Sequence, residues 1–383
     1  MLNTSRLAAV SALLAGALLM TGIAHGREVF DDHLTGDWRG KRTAWLEQGI
    51  NLEAFNTSDG FWSIQGGLSD GTAFSNEFEL ITTADLAALF AWPGATLYLH
   101  TAGSGGREPV ELSGSIHEPS DLVDDDALKV LEFWIEQSLF QQRLSILAGL
   151  FEADSEFDVR ETADVFLNSG FGFGLELPDI EIDGPSMSSL SGLGLRARLQ
   201  VAPQFGLTGA VIEGVSGELD EGDGRFWIGE ADWQPQGFEF LRLGLGTWQY
   251  SGRFERLDGS GTTGSTRGAY AFVEGVLFNE AGTRDQGLSG FVRIGRADQR
   301  VNRFGRHQAA GLVYVGLIPG RDEDLLGLGV SSVVNGDDFI NLLSRDGERA
   351  QRRETVVELT YHYKLLPGLS VQPSIQYTVN PDT

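Results

Sequence analysis

The chain contains no cysteine, which excludes thiol nucleophiles, disulfides and Cys-ligated zinc or iron–sulfur centres, and suits passage through an oxidising compartment. Proline is scarce, 11 in 383 residues, against 51 glycines and 23 phenylalanines, a balance that argues against a helical bundle and for β-structure. Basic residues are also in deficit: 28 Lys and Arg face 54 Asp and Glu, a formal charge of −26. Without a Lys/Arg cluster to displace phosphate counterions, such a chain is not a nucleic-acid binder. Beyond the N-terminus, no stretch reaches the roughly 18 to 20 apolar residues of a membrane-spanning helix.

The exception is "MLNTSRLAAVSALLAGALLMTGIAHG". Arg6, the apolar core from Leu7 to Met20 and the small residues Ala24 and Gly26 have the pattern of a cleaved secretory signal, with an uncleaved anchor as the alternative. Cleavage puts the mature start near His25 or Arg27. An exported chain without a spanning helix is periplasmic, secreted or an outer-membrane barrel. Hydropathy misses the barrel, because lipid-facing and lumen-facing residues alternate and average out.

The chain divides into a signal (1–26), an N-terminal helical segment (27–50) and a β-domain (51–383). In "LTGDWRGKRTAWLEQGI", Trp38, Arg42, Trp45 and Leu46 fall at helical spacing and Gly49 supplies a stop. From Asn51 the period drops to two. Strands are predicted at 51–56, 76–89, 95–101, 128–139, 144–151, 189–201, 204–213, 225–233, 238–249, 267–278, 286–298, 305–317, 324–334, 353–364 and 369–378. Many are about ten residues, the length a tilted strand needs to cross a bilayer. Tight turns at 91–94, 141–143, 202–203, 234–237 and 366–368 alternate, with one modest exception near 299–304, with long polar loops at 57–75, 102–127, 152–188, 214–224, 250–266 and 335–352, the parity of a membrane barrel. Within 192–201, Leu193, Leu195, Ala197, Leu199 and Val201 oppose Arg196, Arg198 and Gln200; within 355–364, Glu358, His362 and Lys364 oppose an apolar face. Those charges suit a watery lumen, and Trp92, Trp233, Phe278 and Tyr363 near strand ends suit membrane interfaces. The fifteen candidates are an odd number, whereas single-chain bacterial barrels are even. The expectation is therefore an all-β, transmembrane antiparallel barrel of sixteen strands with a short N-terminal helix, the last strand missing from this sequence.

Catalytic patterns are weak. Gly67 to Gly71 fits G-x-S-x-G but lacks the strand and helix of a nucleophile elbow, and His100, His117, His307 and His362 are scattered without H-E-x-x-H spacing. The acidic run "DLVDDD" (121–126), with Asp124 to Asp126, reads either as a solvated loop or as a divalent-cation contact to lipopolysaccharide phosphates, and "RAQRR" (349–353) as a contact for anionic headgroups. The best constellation is lumenal. Glu77, Glu79 and Asp85 share one strand face; Glu132, Trp134 and Glu136 share another; Arg196, Arg198, Arg242 and Arg293 project from later strands. Donors, acceptors and aromatic faces on opposing walls suit sugars, and the mixed signs disfavour an anion pore.

Three stretches carry a family resemblance: "LTGDWRGKRTAWLEQGI", "FEADSEFDVRETADVFLNSGFGFG" (151–174) and "PSIQYTVNP". They resemble the carbohydrate-selective porin family of OprB type, with Arg39 where that family usually has Gly. The resemblance implies a sixteen-stranded outer-membrane barrel with a preference for sugars taken up by passive diffusion, and the expectation is a pore for mono- or oligosaccharides with no catalysis, cofactor or metal. The expected partners are outer-membrane lipid, lipopolysaccharide and the barrel-assembly machinery, with the chain a monomer or homotrimer. Asp154, Glu156, Phe157, Asp158, Glu161, Phe166, Asn168 and Ser169 match its central motif as loop-architecture residues. A general or cation-preferring pore, a barrel hydrolase and a soluble lectin-like β-protein are the rival readings. Counted from a periplasmic N-terminus, 151–174 opens the third outer loop, and the expectation is that it folds back to form a constriction with its acids facing the permeant.

Overall fold

The computed structural model describes residues 30–381 except 31, 121, 123–127, 178–190, 214–223, 239, 283–285 and 348–350. The signal segment, the Asp124 to Asp126 run and Arg349 lie outside the described residues. The elements are helix α1 (Lys41–Glu47), β1 (Ile50–Ser63), β2 (Gly71–Asp85), α2 (Leu86–Phe90), β3 (Ala95–Gly106), α3 (Val110–Ser113), β4 (Leu128–Leu139), β5 (Leu144–Phe151), β6 (Gly192–Ala202), β7 (Phe205–Glu213) and β8 (Arg225–Trp233). There follow β9 (Arg242–Glu255), β10 (Thr262–Asn279), β11 (Gly287–Ala297), β12 (Phe304–Val315), β13 (Leu325–Asn335), α4 (Asp337–Asp346), β14 (Arg353–Leu366), β15 (Leu369–Val371) and β16 (Ser374–Val379).

Sixteen strands form one sheet in which each strand up to β15 pairs with its sequence neighbours. β15 and β16 both run antiparallel to β14. Between them sit Gln372 and Pro373; proline has no N–H for the ladder, so one passage of chain is recorded as two strands. Tyr361 still donates to the Pro373 carbonyl at 3.0 Å. Each of the fifteen predicted segments is thus one passage.

Boundaries shift where the membrane pattern stops. The β1–β2 ladder runs from Ile50↔Ala84 to Ser63↔Gly71, so the predicted 57–75 loop shrinks to 64–70. The β9–β10 ladder likewise reaches Thr262↔Glu255, reducing 250–266 to 256–261. Beyond the bilayer both faces of a hairpin meet water, so the alternation that marks a strand fades while the hydrogen bonds continue. At the other end, 86–90 is helix α2 rather than strand, started by the Asp85 carboxylate accepting from the Ala87 N–H at 2.8 Å. Helix α1 forms as expected, followed by Gly49 at φ 89°. Its Arg42 is buried, stacks 4.2 Å from the Phe30 ring centroid and donates to the Leu52 carbonyl at 3.0 Å.

Leu195, Leu245, Val292 and Leu328 are exposed on the outer face, with Trp92, Trp233 and Phe278 also half exposed. The inner face carries buried aromatics as well as charges. Phe226, Trp248, Tyr250, Tyr270 and Phe272 are buried inside the barrel, in one cluster with Phe151, Phe157, Phe173 and Leu177. A second cluster joins Phe166 and Phe171 to Phe291, Val313, Leu325 and Val356. Phe157, Phe173 and Leu177 in the first cluster and Phe166 and Phe171 in the second come from the segment after β5. An inward aromatic is stable because protein, not water, covers it.

Candidate functional site

The segment after β5 enters the barrel, and three short 3-10 turns, Ala153–Ser155, Glu161–Ala163 and Ser169–Phe171, shape it in place of a continuous helix. Its course is fixed by hydrogen bonds to successive strands. At the start, Glu132 on β4 accepts from the Glu152 N–H and the Ser155 hydroxyl, each at 3.2 Å. Glu156 then meets Arg198 at 2.9 Å and Arg196 at 3.1 Å, and Arg196 also reaches Glu136 at 2.5 Å and Ser145 at 2.6 Å. Glu230 on β8 takes the Asp158 N–H at 2.8 Å and the Tyr270 hydroxyl at 2.6 Å.

The centre of the segment carries the densest charge. Arg293 on β11 donates to Asp158 at 3.0 Å and to both oxygens of Glu176 at 2.6 and 2.7 Å; all three side chains are fully buried. Arg160 also pairs with Asp158 and reaches the Phe171 and Gly172 carbonyls. A Cβ at Gly174 would run into the Arg293 guanidinium, so only glycine lets the backbone pass there. Arg242 on β9 holds the Val159 carbonyl at 2.8 Å, Asp232 at 2.6 Å and Glu274 at 3.2 Å, while Glu274 on β10 accepts from the Thr162 N–H at 2.9 Å. At the far wall Glu358 on β14 accepts from the N–H groups of Leu167 and Asn168, both at 3.0 Å, and the Asn168 amide donates to Gln376 at 2.9 Å.

The segment therefore crosses the lumen from β5 to β16 as a latched partition. This places the sequence-predicted residues. Asp158, Arg196, Arg293, Glu132 and Asn168 are buried latches rather than surfaces for a solute, and Phe157 and Phe166 are packing anchors. Ser169 donates its N–H to the Glu118 carbonyl at 3.0 Å, and Asp154 is half buried. Glu79 is hydrogen-bonded to His100 at 3.0 Å, Trp134 stacks on Tyr98 at 4.6 Å, and Glu77 lies half buried on β2. Asp85 caps α2 at the turn end of β2. Among the described loop acids, Glu161 and Asp164 are the exposed ones. Around them the wall offers Arg242, Asp232 and Arg198, each with a fifth to a quarter or so of its side chain open. Although exposed locally, Glu161 is held above the ordinary carboxylate range by the surrounding protein and by Glu274, against the opposing pull of Arg242.

Sequence reasoning missed Asp164, Glu176, Glu230, Asp232, Glu274 and the role of the histidines. Glu230, Asp232 and Glu274 lie on inward faces of their strands, and the alternation alone would have found them. His117 could not be found that way. It sits on the loop after β3, bonds Glu354 on β14 at 2.7 Å and Ser331 on β13 at 3.2 Å, and Ser331 also bonds His307 at 2.8 Å. Ser331, His117 and Glu354 have the hydrogen-bond order of a hydrolytic triad, but Ser331 and His117 are wholly buried and Gly170 packs over them, so they act as a peg between loop and wall. A cavity of about 1750 Å³ lies beside the Glu358 latch, bordered by β1, β14 to β16, the N-terminal segment and Leu167.

A single antiparallel membrane-barrel sheet with a connecting segment folded into its bore defines a porin. The family described as "Carbohydrate-selective porin, OprB family" matches residues 70–383. The chain is similar to Porin B of Pseudomonas aeruginosa, 23% identical over 430 residues, covering 96% of this chain and 91% of that protein. Its fold is similar to the high-pH structure of Pseudomonas putida OprB, with a TM-score of 0.84 at 21% identity over 92% of this chain and 94% of that one. The low-pH structure of the same protein gives a TM-score of 0.62 at 20% identity, covering 91% and 94%. The chain belongs to the OprB family of carbohydrate-selective porins. It is an outer-membrane transport channel that passes sugars.

Proposed function

We propose that sugar selection occurs where the partition leaves charges facing the bore: Glu161 and Asp164 on the loop, Arg242, Asp232 and Arg198 on the wall. The observation that carries this reading is the latched crossing from β5 to β16, which narrows the lumen and leaves these groups open beside it. Guanidinium donors and carboxylate acceptors offer a solute several hydroxyl partners at once. Each bond is weak against water, so binding is selective and a permeant still leaves. No step needs catalysis or energy coupling. The excess of acids on the exposed rim also favours a second property, preference for cations over anions.

The same reading has the signal removed near residue 26, the 27–50 segment at the periplasmic end and 51–383 as the barrel domain. Lipid and lipopolysaccharide contact the outer apolar band, the barrel-assembly machinery inserts the chain, and the assembly is a monomer or homotrimer. Sugar block of ion current in planar bilayers tests the selection step. With Arg242→Gln and Asp232→Asn combined, the sugar concentration for half-block rises about tenfold, as expected for losing one or two hydrogen bonds to charged groups. Unchanged block in that variant would remove the rim from the mechanism.

A further inference from the structure

Most buried carboxylates of the partition are neutralised by a guanidinium: Asp158 and Glu176 by Arg293, Glu156 by Arg196 and Arg198, Glu274 by Arg242. Its first turn is different. Glu132 on β4 and Glu152 at the head of the loop are 3% and 6% exposed, and neither has an Arg or Lys ion pair among the described residues. Beside them His100 on β3, 8% exposed, is the direct cross-strand partner of Glu132. The three side chains each turn one ligand atom into a common space, and these atoms lie within 4.8 Å of one another.

A second observation shows that this cluster is incomplete as protein alone. Glu152 Oε1 is buried and has no hydrogen-bond partner among the described residues. A buried carboxylate oxygen left unpaired costs about 1–3 kcal/mol or more, so it calls for a proton or a cation.

We propose that His100, Glu132 and Glu152 bind a divalent transition-metal ion that ties the head of the partition to β3 and β4. The donor set decides the class. Ca²⁺ and Mg²⁺ take all-oxygen shells, whereas one imidazole with two carboxylates matches Zn²⁺, leaving a fourth position open. Closure is modest: donors around a tetrahedral ion with bonds of about 2.1 Å sit about 3.4 Å apart. Glu79, 3.0 Å from His100 Nε2, supplies the outer carboxylate that orients a ligating imidazole. Net charge favours binding as well, since the ion takes the place that a guanidinium fills at Asp158, Glu176, Glu156 and Glu274.

The test uses the whole detergent-solubilised barrel, stripped with EDTA and desalted, with ZnCl₂ as the probe. Calorimetric titration is expected to give one Zn²⁺ per chain, and Co²⁺ to give a d–d absorption band at the same stoichiometry. Glu152→Gln keeps the shape and removes the charge; it should fold, as judged by heat-modifiable migration, and lose at least tenfold in Zn²⁺ affinity. Glu79→Gln, outside the ligand set, should lose about 10- to 100-fold. Zn²⁺ should raise the melting temperature of the wild type and leave that of Glu152→Gln unchanged. Absence of stoichiometric Zn²⁺ and Co²⁺ binding by the wild type, or binding by folded Glu152→Gln equal to wild type, would overturn the site.

Discussion

Arg293 shows how the partition is held at the scale of one residue. It is fully buried, neutralises Asp158 and Glu176 together and stacks 5.5 Å from the Tyr270 ring. Arg293→Met keeps the volume but leaves Glu176 without its guanidinium and Asp158 with Arg160 alone, and breaking a buried ionic network from one side costs about 3–5 kcal/mol. Urea titration should show that loss, with protease cutting within 152–177 before the barrel opens. Glu161 gives a pH-dependent prediction of known sign. Its carboxyl is raised by desolvation and Glu274, so it accepts a proton at higher pH than an ordinary glutamate. Any stability it contributes is present below the usual carboxylate range and lost as pH rises through the raised value. Cation preference, from reversal potentials, should fall on acidification starting above that range, and Glu161→Gln should flatten the onset.

At the scale of elements, strands β11 to β14 supply a floor for the partition. Gly311 and Gly329 are directly opposed in the β12–β13 ladder, and Cβ atoms there would strike the rings of Phe166, Phe171 and Phe291. Phe166 and Phe171 stack at 4.3 Å above this gap. Gly329→Val should therefore cost about 1–3 kcal/mol of overpacking, and the strain should be relieved by undocking the loop. Single-channel conductance should rise while the strand content measured by circular dichroism stays unchanged. The alternation of strands made the passages legible in sequence, but the glycine floor was not: a glycine inside a strand reads only as a weak position until the ring that needs its space is known.

At the scale of the molecule, the partition spans the bore because its two ends are attached to strands far apart in sequence, β4 at Glu132 and β14 at Glu358. Removing residues 160–168 deletes the middle of the crossing, including Glu161, Asp164 and the Phe166 anchor. Conductance should increase and sugar block should disappear together. If both stay at wild-type values, the partition is not the constriction. The metal-ligand cluster belongs to this scale too, since His100, Glu132 and Glu152 come from three segments and no spacing rule connects them.

Sequence alone determined that the chain spans a membrane with strands, because period-two alternation and turn signals are local and each strand must satisfy the lipid on one face. It determined the family through the 151–174 motif, and it marked that motif as foreign to the strand pattern. Only the tertiary structure decided what the motif's residues do. Asp158 and Glu156, among the acids expected to face the permeant, are mostly spent on the wall, because a loop inside a barrel must first neutralise its own charges and cover its own aromatics. What remains exposed, Glu161 and Asp164, is set by which side of the folded loop lacks a strand behind it, and that is a property of long-range packing that no local pattern encodes.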